Sequence, residues 1–378
     1  MGARRQTARA VVVAAVLCAG ARAWASVQVE PIARLSLEGG YDSNVLYDGK
    51  GGNEMGRVSP DLGLHLRDHT WSALAWAGGD LLMYPQRGRD AVWNQRGQAT
   101  LNARLSPRLT LDVDGKGTYA FDPIGLARLG IFAEDRGAAL AVGAKARLAW
   151  RVGHAWTVAG SFDEHLFRFS DASGAASHTP ALEATRRFGH RLEAGAIYKL
   201  DLFQNFGAQA AGPAGDRATA HEASALVRWR WTRRHTHEAD AGPAVFSGAA
   251  ATWVLPQAGL QLLGVWRAME GRASLRHGVG LGVLATPGLF DSAEGAVTLK
   301  LGPSWLLHAD GGVWRSGAPP WGADAVIGYG IEGEVAYRIT REVRLGLAAS
   351  RFARADIASS QFDRNVVGLR MSWELRHR

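Results

Sequence analysis

The chain has 378 residues, of which 47% are hydrophobic, with a formal net charge of +8 and a single cysteine. One cysteine excludes a disulfide scaffold and a thiolate metal site. The basic residues are spread along the chain without a Lys/Arg block, which gives no support for a nucleic-acid partner.

The N-terminus has the pattern of a secretory signal peptide. Arg4, Arg5 and Arg9 precede an apolar run over residues 10–17, and the small-residue sequence A-W-A follows at residues 23–25. The apolar run is much shorter than the roughly 20 residues that cross a bilayer as a helix. We therefore predict that residues 1–25 are cleaved, which removes the cysteine and four arginines and lowers the formal charge to +4.

The remaining segment, residues 26–378, alternates apolar and polar residues. The pattern is clear over residues 98–105, 109–114, 142–150, 192–202 and 367–375. Alternation with period two predicts β-strands with one apolar and one polar face. Runs of about ten residues fit tilted strands that cross a bilayer.

The connections between these runs are short and long in turn, and they are rich in the turn formers Gly, Pro, Asp and Ser. Eight short connections lie at residues 67–69, 106–108, 152–154, 188–190, 232–235, 267–270, 302–304 and 339–342. Nine longer ones lie at residues 41–56, 85–90, 120–136, 170–177, 203–219, 247–251, 285–292, 316–324 and 353–361. Of these, 41–56, 120–136 and 203–219 are long enough to fold inward and constrict a pore.

Seventeen connections join eighteen strands and leave both chain ends on the side of the short turns. This predicts an all-β fold: a closed antiparallel transmembrane β-barrel of about 18 strands, with 16 to 20 allowed, as one domain over residues 26–378. We expect it to be integral to the outer membrane of a Gram-negative bacterium. The first strand starts within about ten residues of the cleavage site, which leaves no room for an N-terminal plug domain.

Closure of the sheet fixes a lumen, and a barrel of 16 to 18 strands leaves an aqueous channel unless something fills it. Successive side chains of a strand point to opposite faces, so the parity of a position, odd or even, predicts which polar side chains line that channel. The predicted pore-lining residues are Arg34, Glu38, Asp61, His65, Arg104, Asp112, Asp114, Lys116, Lys145, Arg147, Glu193, Lys199, Asp201, Arg228, Arg230 and Arg370.

Tryptophan supports the same arrangement, because aromatic residues concentrate where hydrocarbon meets headgroups. Seven tryptophans lie near the short turns or near the C-terminal end. We predict that they form the periplasmic aromatic girdle: Trp71, Trp150, Trp156, Trp231, Trp266, Trp305 and Trp373.

Signals for catalysis or metal binding are weak. The sequence D-E-H at residues 163–165 and the pair Ser177-His178 contain residue types of a nucleophilic site, but such a site needs a proximity that parity does not establish. His235 and His237 share a strand face without a third ligand. We predict no enzyme activity, no metal site and no cofactor.

The first strand runs into the sequence GGYDSNV at residues 39–45. A strand near the mature N-terminus that ends in this way, followed by a long series of alternating strands, resembles the β-barrel porin type 2 family. That family includes barrels associated with export of exopolysaccharide and capsule. Locally, Asp42, Ser43 and Asn44 fit the caps of a turn, and a Ca²⁺ or sugar contact by Asp42 and Asn44 is conceivable.

The resemblance implies an outer-membrane conduit for export of a secreted or surface polysaccharide, acting with separate periplasmic export proteins. Two alternatives stay open: a porin for passive uptake of small hydrophilic solutes, and a structural or adhesive barrel that acts through its loops. Expected partners also include outer-membrane lipid and the barrel-assembly machinery. Many such barrels end on an aromatic residue, whereas Trp373 is followed by residues 374–378, so assembly recognition is expected to use residues 369–373.

Overall fold

The computed structural model describes residues 27–43, 51–85, 91–121, 138–171, 173–207, 216–232, 234–249, 251–282, 286–317, 325–354 and 363–375. The predicted signal peptide, residues 1–25, lies outside the described residues. Within the described ranges, no helix is long and apolar enough to cross a membrane.

The described residues form eighteen β-strands, in agreement with the predicted number. In chain order they are β1 (Gln28–Asp42), β2 (Asn53–Arg67), β3 (Trp71–Met83), β4 (Val92–Ser106), β5 (Leu109–Ala120), β6 (Ala139–Val152), β7 (Trp156–Phe169), β8 (Gly174–Phe188), β9 (Leu192–Phe206), β10 (Arg217–Thr232), β11 (His235–Ser247), β12 (Thr252–Val265), β13 (Met269–Leu281), β14 (Pro287–Leu301), β15 (Trp305–Gly317), β16 (Val326–Arg338), β17 (Val343–Arg354) and β18 (Arg364–Glu374).

The strands form a single closed sheet. Each strand pairs antiparallel with the next one in the chain, for example β1 with β2 and β17 with β18. The first and last strands also pair antiparallel, from Arg34 opposite Glu374 to Asp42 opposite Val366. The sheet therefore has no free edge, which is the condition for a β-structure that crosses a bilayer. The predicted closed antiparallel barrel is confirmed.

The eight short connections are turns of two to four residues, at the places the sequence predicts. Gly153, Gly189 and Gly302 each occupy one of these turns with a φ of 69°, 71° and 70°, respectively. Residues other than glycine rarely adopt this left-handed conformation at low cost, so glycine permits the tight reversal.

Several longer connections are shorter than predicted, because the strands continue beyond the clear alternation. The predicted loops 41–56 and 203–219 shrink to the intervals between Asp42 and Asn53 and between Phe206 and Arg217. The ends of these hairpins carry Asn, Gln and Gly residues that keep their backbone pairing. The connections from Met83 to Val92 and from Ala120 to Ala139 are slightly longer than predicted.

The outer surface is a belt of exposed apolar side chains. Leu62, Val254 and Ile331 expose 66%, 74% and 59% of their surface. Such a continuous apolar surface is typical of a membrane contact and would be unstable in water. Together with closure of the sheet, it makes the chain an integral outer-membrane protein.

The seven predicted girdle tryptophans all lie at the ends of strands next to the short turns or near the C-terminal end of β18. Six of them are among the large exposed apolar side chains, and Trp71 is half-buried. Aromatic neighbours join them: Trp229 stacks on Trp231 with ring centroids 5.6 Å apart, and Trp305 meets Tyr337 at 5.1 Å. Their membership of a membrane girdle stays a prediction.

We predict that an arginine at position 113 destabilises the barrel and that an asparagine at position 112 does not. Val113 lies on the apolar outer face, opposite Leu101 and Ala146, whereas Asp112 lies on the other face, opposite Asn102 and Arg147. Val113→Arg should cost about 2 to 4 kcal/mol near the centre of the bilayer. Urea-dependent folding into lipid vesicles measures the difference, and equal losses from Val113→Arg and Asp112→Asn would contradict the assigned faces.

Candidate functional site: the charged lumen

All sixteen predicted pore-lining residues lie on one face of the sheet. The register of neighbouring strands places several of them directly opposite one another. Arg34 is opposite Asp61, and Glu38 is opposite Arg370. Side chains from next-nearest strands also meet on this face, as Arg96 of β4 does with Asp61 of β2 at 2.9 Å. Such contacts occur on the concave side of a curved sheet, so this face is the lumen.

The first group of charges lies where the barrel closes. Arg370 of β18 contacts Glu38 of β1 at 2.9 Å and Glu334 of β16 at 2.8 Å. Arg57 of β2 lies 3.8 Å from the same Glu38. One glutamate therefore links cations on the last strand and on the second strand.

This group continues onto β3 and β4 through Asp80. Its carboxylate contacts Arg57 at 2.9 Å and Arg96 at 2.8 Å, and it accepts a hydrogen bond of 2.6 Å from Ser59. Arg96 also reaches Asp61. We call the charges from Glu334 through Asp61 the seam network. Because cations and anions alternate along it, the charges of this wall largely cancel.

A second group, the side network, spans β6 to β11. Glu183 accepts hydrogen bonds from Arg228 and lies 3.2 Å from Arg147. Arg228 also contacts Glu238 at 2.5 Å. Glu183 is buried, so the two arginines supply the compensation that a buried carboxylate requires.

The middle of the lumen has a different character. Lys116, Lys145, Lys199 and Arg276 line one cavity of about 410 Å³. Lys199 lies 3.4 Å from Glu222, and Arg276 donates to the carbonyl oxygen of Val279 at 3.1 Å. Lys116 and Lys145 have no hydrogen bond or ion pair with any described residue. Lys145 lies opposite Asp114 and Asp163 in the sheet without forming an ion pair with either, and Lys116 lies opposite Gln98 and Gly143.

Lys116 also lines a second cavity, of about 630 Å³, on the opposite wall. That cavity contains Glu294, Asp310 and Glu332 together with Arg272. Lys116 lies over Gly143 of the neighbouring strand β6 and borders both cavities from its own wall. The first cavity also contains Asp163 and Asp201, so carboxylates line both cavities.

The upper lumen, near the longer connections, carries apolar side chains that the sequence pattern did not lead us to assign. They form four clusters. Their buried members are Phe203, Ala218, Ala220, Ala244, Phe246 and Val279, then Ala139, Ala141 and Phe169, then Trp314 and Phe352, and finally Met55, Leu82, Tyr84 and Val366. We call these clusters the apolar collar. Phe203 has the same parity as Lys199 and Asp201, so parity could have identified it.

Asp201 lines the same cavity as Lys199 and accepts a hydrogen bond of 2.5 Å from Thr179. The remaining predicted pore-lining residues occupy the periplasmic half. Arg34 pairs with Glu374 at 3.2 Å, Glu193 pairs with Arg187 at 3.2 Å, and Asp114 accepts a hydrogen bond of 3.0 Å from Gln98. His65 bonds Ser72 at 2.9 Å. The structure gives no side-chain partner for Arg104, Asp112 or Arg230 among the described residues.

The residue types of a nucleophilic site are only partly brought together. Asp163 and His165 face the lumen 3.2 Å apart, and Ser177 lies opposite His165 on β8. Among described residues, no hydrogen bond joins Ser177 to His165, which is the contact that would activate the serine. Glu164 and His178 lie on the outer face.

The described part of the chain contains no group of three or more His, Cys, Asp or Glu residues that could hold a metal ion. Asp42 is fully buried and bonded to Arg364, so it is not available to a Ca²⁺ ion or a sugar. Asn44, its proposed co-ligand, lies outside the described residues.

Comparison with known proteins gives no family model and no curated relative that matches the chain. Similar solved structures include OpdQ of Pseudomonas aeruginosa, with TM-score 0.45 and 9% identity over 92% of this chain and 97% of that one. A BenF-like porin from Pseudomonas fluorescens Pf-5 has TM-score 0.44 and 13% identity, over 92% and 98%. OccK2 (OpdF) of Pseudomonas aeruginosa in complex with glucuronate has TM-score 0.44 and 12% identity, over 92% and 99%. These likenesses concern the barrel as a whole.

We predict that Glu183→Gln destabilises the barrel by about 3 kcal/mol, because it leaves Arg147 and Arg228 without their shared buried carboxylate. Glu30→Gln is the control. Glu30 pairs with Arg67 at 3.7 Å, with both side chains about half-exposed, and such pairs contribute about 0 to 1 kcal/mol. Urea-dependent unfolding in detergent measures both variants. A loss for Glu183→Gln no larger than that of the control would contradict the role given to the side network.

Proposed function

We propose that this chain is an outer-membrane porin for passive uptake of small hydrophilic solutes, with a preference for anions. The observation that carries the proposal is the pair Lys116 and Lys145, cations of the mid-lumen without a direct partner among the described residues. Many other lumen charges pair within the seam network and the side network. The two lysines therefore add to the potential that a solute meets within a Debye length of about 8 to 10 Å.

The dimensions of the lumen support small solutes. Its cavities of about 410 Å³ and 630 Å³ have the size of small-molecule sites. Lys116 borders both cavities. A polymer in transit needs a wide, hydrated path with weak interactions along its whole length, and the paired charges that join next-nearest strands in this lumen occupy part of that path.

The expectation of polysaccharide export depended on the GGYDSNV sequence at residues 39–45. Asp42 in that sequence is bonded to Arg364 across the closing strands, so its presence has a structural explanation that involves no cargo. Periplasmic export proteins and a polysaccharide would be partners only under the export function, for which we find no support. No observation favours an adhesive barrel.

The charge preference can be measured in planar bilayers under a salt gradient. We expect the reversal potential of the purified protein to indicate anion selectivity, and Lys116→Gln with Lys145→Gln to reduce it. A unit charge at about 8 Å in water contributes about 0.5 kcal/mol, favourable for an anion and unfavourable for a cation, so each substitution should lower the anion-to-cation permeability ratio about five-fold at low salt. Lys300→Gln, at the periplasmic end of β14, is a control with the same change in charge.

An unchanged permeability ratio in the double variant would contradict the anion preference. Deletion of the gene in its native host tests the broader proposal. We expect reduced uptake of small anions across the outer membrane and unchanged surface polysaccharide. Loss of the surface polymer with normal uptake would instead establish export.

A further inference from the structure

The cavity that contains Lys116 and Lys145 has an apolar wall as well as a charged one. Phe167, Phe203 and Phe290 line it together with the two lysines. Phe203 belongs to the apolar collar and meets Phe246 with ring centroids 6.4 Å apart. The lining also includes Asp163 and Asp201, so its four cations, Lys116, Lys145, Lys199 and Arg276, outnumber its two carboxylates. A solute in this cavity meets aromatic rings and a net positive charge.

Apolar groups offer no hydrogen bonds to a hydrated salt ion, so they do not by themselves favour its passage. An apolar wall favours solutes that lose apolar surface from water on contact. A cation at the far side favours a negative group on the same solute.

Resting on the proposed function, we infer that this cavity is a binding subsite for small organic anions that have an apolar face. The apolar ring or chain of the solute packs against Phe203 and Phe290, and its carboxylate lies toward Lys116 and Lys145. Contact with each wall is weak, which allows release toward the periplasm. The apolar collar thus sets which anions pass, and the lysines set the sign of the charge.

The test compares two anions with the same ring size and the same charge, cyclohexanecarboxylate and its polyhydroxylated analogue quinate. Flux of each into proteoliposomes is measured for the wild-type protein, Phe290→Ala and Leu82→Ala. Leu82 lies in a different cluster of the collar and lines another cavity, so it is the control. Heat-modifiable migration on gels verifies that each variant is folded.

We expect the wild-type protein to transport cyclohexanecarboxylate faster than quinate. Phe290→Ala should lower that flux ratio about three-fold, and Leu82→Ala should leave it unchanged. Anion selectivity combined with a flux ratio that Phe290→Ala does not alter would overturn this inference and leave the proposed function intact.

Absence of anion selectivity would overturn the proposed function itself. A flux ratio of Phe290→Leu equal to that of wild type would also support apolar packing, whereas loss of the preference in Leu82→Ala alone would overturn the inference and place the subsite in the cavity that Leu82 lines.

The side-chain contacts at the junction of β1 and β18 support a second inference. Arg364 donates to both carboxylate oxygens of Asp42 from its Nε atom, at 3.0 Å each, and its Nη2 also contacts Asp42. The hydroxyl of Tyr84 lies 3.4 Å from Asp42 and 3.2 Å from Arg364. Asp42 and Arg364 are 0% and 1% exposed.

The next residues extend this junction with backbone contacts. Ser43 donates its backbone N–H to the carbonyl of Asn365 at 2.9 Å, and the backbone N–H of Asn365 donates to the Ser43 hydroxyl at 2.8 Å. The residues Asp-Ser of GGYDSNV thus both contact β18. At the opposite end of the same strand pair, Arg34 and Glu374 form a largely exposed ion pair.

The geometry points to Asp42, Arg364 and Tyr84 as a latch that holds the barrel closed at its extracellular end. The pair joins residues 322 positions apart in the chain, so it forms only when the first and last strands meet. Because both charges are buried, a strand pair that separates leaves each charge without its partner, at a high cost in free energy.

Hydrogen exchange measured by mass spectrometry tests the latch. In Asp42→Asn we expect backbone amides of residues 37–41 and 366–369 to exchange at least about ten-fold faster, with no change in β9 and β10. Glu374→Gln, which removes the exposed pair of the same junction, should leave exchange at residues 37–41 unchanged. Tyr84→Phe, a milder change, should give a smaller effect at the same amides.

Equal acceleration in β9 and β10 would show a general loss of stability and overturn the latch. So would an effect of Glu374→Gln at residues 37–41 as large as that of Asp42→Asn. Arg364→Gln combined with Asp42→Asn should exchange no faster than either single variant, because each single change already breaks the pair.

Discussion

The structure depends on one constraint: inside a lipid bilayer no water is available to pair with backbone N–H and C=O groups. An antiparallel sheet satisfies these groups everywhere except at its edges. Pairing of β1 with β18, from Arg34 opposite Glu374 to Asp42 opposite Val366, removes the two edges. The even number of strands, the common side of both chain ends and the separation into an inner and an outer face all follow from that closure.

Closure also explains how much of the fold the sequence predicts. A strand between lipid and water must alternate apolar and polar residues, so the pattern of residues 109–114 and 142–150 is sufficient to indicate β5 and β6. The extracellular strand ends were predicted less well, because outside the bilayer the backbone continues to pair without any apolar pattern. Polar residues such as Asn205 and Asn53 therefore lie in β9 and β2, where the alternation alone favours a loop.

The sequence likewise predicts some features of the lumen and not others. Parity identifies the face on which Asp61, Glu183 and Arg228 lie, since it requires only the period of the strand. It does not identify their partners, because contacts such as Glu183 with Arg228 join next-nearest strands and depend on the curvature and stagger of the closed sheet. The assumption that a lumen is polar also concealed Phe203 and Phe246, although both have lumen parity.

Paired charges and unpaired charges have different consequences in such a lumen. In the seam network and the side network Glu38, Asp80 and Glu183 each lie between two arginines, so these groups fix side-chain positions and contribute little net field. Lys116 and Lys145 form no ion pair with a described residue. Under the proposed function, it is these exceptions to pairing that set the charge preference. The same distinction applies to residues 39–45: Asp42 is neutralised by Arg364, so it serves closure, and a resemblance based on those residues concerns how the barrel is built more than what passes through it.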